Sequence, residues 1–195
     1  AESISLDISL YQQQMEGYQT VFEQTEHFSK YRENNNGLNS LKLRANDTLY
    51  FEESIKLDLH EAQLNRPIFL YVNGSLSLRG NLTLPDFSEI IVKDSLIIVG
   101  TLSGNFIQMY AGSFVSVSED VKMSAQIFTS GSLEVYDRAY LNYPSVVYSQ
   151  KESYAGGGQS VISINDESIF EGTIIYPFKP SLINQEQLKI SINTT

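Results

Sequence analysis

The sequence predicts a mainly β protein: a single-stranded β-solenoid with about 18–21 residues per coil, preceded by a helical segment. Three observations carry this. From about residue 47 the apolar residues recur every second position. One short phrase returns at nearly constant spacing. Before residue 36 the apolar spacing is instead three and four.

The helical segment comes first. Ile4, Ile8, Tyr11, Met15, Tyr18, Phe22 and Thr25 fall on one stripe of a helix. Gln12, Gln13, Gln14, Glu16, Glu23 and Glu26 then face water, and Gly17 is a weak point. Ile4, Leu6, Ile8 and Leu10 also alternate, so a short opening strand competes with the helix. Asn34, Asn35, Asn36 and Gly37 read as a helix stop. A helix packed on its own domain is the first expectation, and a stalk or coiled coil the second.

The strand pairs follow: Leu57 and Leu59, Leu76 and Leu78, Leu82 and Leu84, Val115 and Val117, Leu133 and Val135, Ile162 and Ile164. Gly, Asn, Asp and Ser interrupt them every few residues, so the strands are short. The recurring phrase is a small or acidic residue, then Ser, then an apolar residue. Its serines are Ser54, Ser75, Ser95, Ser113, Ser132 and Ser168, with steps of 21, 20, 18, 19 and 36. The last step is two coils with one copy missing near 150, where the stretch QKESYAGGGQS intervenes and Ser153 is a weak match. A coil cannot bury its inward row alone, whereas stacked coils bury it as a ladder; the apolar residue after each Ser is expected to fill one rung. The Gly before it is expected to make the corner with φ > 0. A fainter phrase, Gly-Asn-apolar, stands at 80–82 and 104–106. An antiparallel β-sandwich also has short strands, but phrases held in register favour the solenoid. The expected organisation is a helical segment or cap over 1–36, the solenoid over 37–178, and a C-terminal cap or tail over 179–195. There Pro177 and Pro180 stop pairing and residues 188–192 alternate as a last strand.

The stretch VNGSLSLRGNLTL, 72–84, resembles the bactofilin, or polymer-forming cytoskeletal, family. The likeness spans about residues 66–141 and lies in repeated Gly-x-apolar-x-apolar units. It implies a right-handed β-helix and an intracellular scaffold that polymerises. The chain departs from the pattern in its acidic corners at Asp94 and Glu167, its helical start and its Tyr-rich last third. A helix followed by strands also resembles the layout of secreted or pilus-like surface proteins.

Composition narrows the functions. A formal net charge of −10 disfavours nucleic acid and anionic membranes, both of which need clustered Lys and Arg. With no cysteine, disulfides and thiolate metal sites are excluded. No run of 18 apolar residues spans a membrane. Membrane attachment is expected only through a segment outside this sequence. Sequons at Asn46, Asn73, Asn81 and Asn193 point weakly to secretion.

His27 and His60 lack a second ligand at metal spacing, and the acidic pairs Glu52-Glu53 and Glu119-Asp120 do not fit a calcium loop. No metal or cofactor is expected. There is no G-x-S-x-G elbow, and AGGGQS, 155–160, lacks the Lys of a phosphate loop. Asp94, Glu134 and Asp137 are the candidate carboxylates for glycoside chemistry, about 10 Å apart if two coils separate them. Six of the twelve tyrosines stand from 136 onward. Of these, Tyr136, Tyr140, Tyr143, Tyr148 and Tyr154 are the candidate ligand-binding residues, for sugar rings or a protein partner; Tyr176 is the sixth. The expected function is a non-enzymatic structural or adhesion-type protein of the cell surface or envelope, presenting a rigid surface. A carbohydrate-binding or polysaccharide-degrading β-helix is the first alternative. The bactofilin-like scaffold, self-associating through its coil ends, is the second.

Overall fold

The computed structural model describes residues 8–23, 48–60, 64, 66–150, 161–165, 167–176 and 189–192. Among these residues one helix, α1 (Ser9–Val21), precedes thirteen strands that all pair in parallel. They are β1 (Thr48–Phe51), β2 (Ile55–His60), β3 (Phe69–Val72), β4 (Leu76–Thr83), β5 (Glu89–Val92), β6 (Ser95–Ala111), β7 (Phe114–Ser118), β8 (Lys122–Thr129), β9 (Ser132–Val135), β10 (Tyr140–Ser149), β11 (Val161–Ile164), β12 (Ile169–Ile175) and β13 (Lys189–Ile192). The chain winds as a β-solenoid of about five turns. Long strands such as β6 pass around corners and so serve more than one sheet.

The register gives the coil length directly. Along the first sheet, position 48 pairs with 69, 69 with 89, 89 with 108, 108 with 126 and 126 with 146, so successive coils take 21, 20, 19, 18 and 20 residues. Along the second sheet, Ile55, Leu76, Leu96, Val115, Leu133 and Ile162 form one inward column. Leu57, Leu78, Ile98, Val117, Val135 and Ile164 form the next. All but Ile55 are buried, and both columns belong to a single core. The period-two reading of the sequence is therefore the inward row of the coil. The strand expected near the end is β13, which pairs with β11 as the last rung of this sheet.

The recurrent serine has a specific task. Ser54 Oγ accepts from Ser75 N at 2.9 Å, Ser75 Oγ from Ser95 N at 3.4 Å, and Ser132 Oγ from Val161 N at 3.1 Å. Each staples a corner to the next coil, where a backbone amide would otherwise lack a partner. Three details of the sequence reading are corrected. First, the copy at 112–114 is slipped by one residue: Val115, not Phe114, shares the rung with Leu96 and Leu133. Second, Ser168 belongs to another corner. Its neighbour Ile169 bonds back to Ala139, and Leu133 pairs with Ile162 rather than with Ile169. The insert lengthens one coil and no copy is missing. Third, the glycines of the phrase are required by close approach, not by positive φ. A Cβ on Gly131 would lie 1.6 Å from Ser113 O, and one on Gly112 2.2 Å from Lys93 O. The Gly-Asn phrase is likewise out of register, since Gly80 pairs with Gly100 and Gly104 with Met123.

Helix α1 packs on the outside of the first sheet. There Tyr71, Ile91, Tyr110, Phe128, Tyr148 and Ile175 form an in-register outward column, each one rung from the next. Met15 and Tyr18 are buried against it, with Ile8, Tyr11 and Phe22 at the margin. This is the stripe expected from spacing; Ile4 and Thr25 lie outside the described residues, as does the expected stop at 34–37. Tyr18 meets Phe128 edge-on at 5.4 Å between ring centroids. Gln14 does not face water: it donates to Tyr18 Oη at 2.7 Å, and Tyr18 Oη donates to Gln108 Oε1 at 3.0 Å. Burial pushes the Tyr18 hydroxyl up to about 12. The helix has no side-chain N-cap bond, no acidic residue in its first turn and Gly17 near its centre. So short a helix is marginal alone, and the aromatic column holds it in place.

Candidate functional site

A third corner of the coil, at residues 85–88, 104–106, 124, 142–145 and 171–172, collects unusual features. Three serines build it. Ser88 Oγ accepts from Ile68 N at 3.2 Å and donates to Pro85 O at 2.6 Å. Ser124 Oγ accepts from Phe106 N at 2.8 Å. Ser145 Oγ accepts from Ala125 N at 3.2 Å and donates to Asn142 O at 2.6 Å. All three serines are buried, and each pairs an amide where the chain leaves the ladder.

On this scaffold stand Phe87, Phe106 and Tyr143, at 63%, 45% and 76% exposure. They are the only exposed aromatics among the described residues. Phe87 and Phe106 stack with ring centroids 5.5 Å apart and planes 9° from parallel. Both have left-handed backbones, with φ of 65° and 54°. For a bulky L-residue that conformation is an outlier costing about 1–2 kcal/mol. Such outliers gather where function constrains the backbone.

Register places the third ring. Gly104 pairs with Met123 and Ile107 with Ala125, so Asn105 and Phe106 together oppose Ser124. On the other side Leu141 pairs with Met123 and Val146 with Gln126, so the Asn142–Tyr143–Pro144 bulge also opposes Ser124. Phe106 and Tyr143 therefore stand two coils apart across the Ser124 rung, about 9.6 Å along the axis. Polar groups flank the rings. Asn105 Nδ2 donates to exposed Asp86 at 3.4 Å, and Asn142 Nδ2 to Tyr143 O at 3.5 Å. Tyr140 donates to Glu171 Oε2 at 2.6 Å, which pushes the Tyr140 hydroxyl up, and Ile169 beside it is half exposed.

The five tyrosines expected as a ligand-binding row do not form one. Tyr143 and Tyr140 lie at or beside this corner. Tyr136 sits half-buried at the charged corner, where Glu119, Asp137, Arg138 and Glu167 have positive φ and Arg138 pairs with Asp120 at 3.2 Å. Tyr148 is fully buried beneath α1 and presents nothing to a ligand, because the first sheet turns it toward the helix. Tyr154 lies outside the described residues. Phe87 and Phe106 are additions that the sequence reading missed. The signal was Asp86-Phe87 and Asn105-Phe106, set 19 residues apart, one coil.

The candidate carboxylates stand at different places in the coil, with Asp137 at the charged corner beside Tyr136. Asp94 is level with Ser113 and Gly131 at the serine corner, while Glu134 is central in β9. Two coils and three residues separate their backbones, about 14 Å. Among the described residues no three His, Cys, Asp or Glu side chains converge on a metal position. His60 ends β2, and His27 lies outside the described residues. Among the described residues no helix is long and apolar enough to cross a membrane. No family model, curated protein or solved structure matches this chain. The class is therefore set by its own fold and corner: a β-solenoid with an aromatic ledge.

Proposed function

We propose that this is a non-enzymatic structural or adhesion-type binding protein of the cell surface or envelope, a rigid solenoid whose aromatic ledge contacts a partner. The observation that carries this reading is the convergence, on one corner, of all three aromatics exposed among the described residues, two of them on left-handed backbones. Exposed rings contribute little to the core, and their backbones cost stability. A fold that keeps both is using them for something besides folding. The rigid stack of coils fixes the rings before a partner arrives, which lowers the ordering cost of binding. The extracellular placement rests on the sequons, of which Asn81 is exposed on β4.

The test compares the wild-type chain with a Phe87→Ser, Phe106→Ser, Tyr143→Ser triple variant on glycan and peptide arrays. The expected result is a ligand signal that the triple variant loses while keeping its β-sheet circular dichroism. Identical array profiles for the two proteins would overturn the reading. So would release of reducing ends from any bound polysaccharide.

A further inference from the structure

We propose that the aromatic ledge takes a basic, proline-rich peptide in the polyproline II conformation, lying along the solenoid axis across Phe106 and Tyr143; this rests on reading the corner as a binding surface. The first argument is pitch. Two rungs of a parallel stack advance about 9.6 Å. One turn of polyproline II, three residues of about 3.1 Å, advances about 9.3 Å. A peptide along the axis thus returns the same face to every second coil. Two of the three ring-bearing coils, those of Phe106 and Tyr143, have that separation by register.

The second argument is the gap between them. Ser124 is small and buried and occupies the intervening rung without a ring. A pyrrolidine seated over it lies about 4.8 Å from the rungs on either side, a ring-packing separation. The third concerns the backbone. The amides of Phe106, Ala125 and Gln108 are already bonded, to Ser124 Oγ, Ser145 Oγ and Ser88 O. These three amides cannot serve an incoming strand, so recognition at them comes from side chains. Polyproline II leaves its carbonyls unpaired, and the Asn105 and Asn142 amides, each held by one long bond, are placed to donate to them.

Charge selects the flanking residues. Asp86 and Glu171 are exposed beside the rings, Arg66 is level with Asp86 and Lys122 with Tyr140 by register, and the chain as a whole carries −10. Lys or Arg between the prolines complements that field.

The experiment is isothermal titration of the full chain with three probes: a (Pro-Pro-Arg)3 peptide, a (Pro-Pro-Glu)3 peptide and a chitin hexamer. The variants are Phe106→Ala, Tyr143→Ala and, on the outward face of the second sheet, Ile97→Ala. Tyr143 is so exposed that its truncation leaves folding intact even where Phe106→Ala does not. The Arg peptide is expected to bind, to weaken at least tenfold in each ledge variant, and to be unaffected by Ile97→Ala. The Glu peptide is expected to bind at least tenfold more weakly. Saturation by the sugar alone, lost on Tyr143→Ala, would overturn the peptide and leave the ledge standing. No heat from any probe at millimolar concentration, or peptide binding indifferent to both ledge variants, would also overturn the peptide; the array comparison then decides the ledge separately.

Discussion

Two Gly→Ala substitutions should act with opposite sign. In Gly131→Ala the new Cβ is placed 1.6 Å from Ser113 O, a backbone atom of the coil below. Ordinary contact needs at least about 3.2 Å, so the corner must open by well over 1 Å. The bond from Ser132 N to Ser113 O, now 3.2 Å, lies at that point and is lost. A lost backbone bond costs about 1 kcal/mol, and forcing a rigid stack apart beside buried Val115 and Leu133 adds about 1–3 kcal/mol. The expected total is about 2–4 kcal/mol, or a melting point lower by about 5–15 °C at this chain length. In Gly17→Ala the Cβ meets nothing within 4 Å on the exposed side of α1. Helix propensity then predicts a gain of about 0.5–1 kcal/mol in helix stability. Urea denaturation followed at 218 nm measures the first, and the helical signal near 222 nm the second. A Gly131→Ala protein within about 0.5 kcal/mol of wild type would refute the close-approach argument and the register beneath it.

Further outcomes follow from the same geometry. Leu96→Asp and Leu133→Asp place an unpaired charge on an inward rung, so both should abolish the native circular dichroism spectrum. Ser145→Ala leaves the amide of Ala125 without an acceptor inside the fold, and should cost about 1–3 kcal/mol in urea titrations. The Tyr18 hydroxyl is raised to about 12 in the folded state from an ordinary 10.0. The fold therefore favours the protonated form; that stability is fully present below pH 10 and drains away as pH rises toward 12. A smaller loss of helical signal across that window in Tyr18→Phe than in wild type is the expected result, since Tyr71 and Tyr148 under the same helix are also raised and remain. An identical profile in both proteins would contradict it.

Much of the fold was legible because it depends on one-dimensional patterns. Leu76 and Leu78, or Leu133 and Val135, alternate because one face of each strand is walled by neighbouring coils. The stripe Ile8, Tyr11, Met15, Tyr18 and Phe22 is legible because a helix lying on a flat sheet buries one side only. Register was less legible. The phrase at 112–114 reads like its siblings, yet Val115 and Val117 decide the rung, because inward burial outweighs a corner motif. The break after Ser132 reads as a missing copy, but an insertion between β10 and β11 and a lost coil leave similar spacing. The ledge was least legible. Its rings come together through left-handed backbones at Phe87 and Phe106, which no propensity announces for Phe, and through a bulge at Tyr143. Tyr148 was misassigned for a related reason: an outward residue on a sheet is exposed only where nothing lies over it, and α1 does.

The most direct test of the coil register is a disulfide. The chain has no cysteine, so a Glu134→Cys, Ser163→Cys pair gives one unambiguous bond. These two positions are direct partners on adjacent parallel strands, across the insert at 151–160. Their expected Cα separation of about 4.8 Å lies within disulfide range. Rapid, near-complete oxidation with an unchanged circular dichroism spectrum is the predicted result. A pair that stays reduced in the folded protein, or that crosslinks only between molecules, would contradict the stacking of β11 on β9.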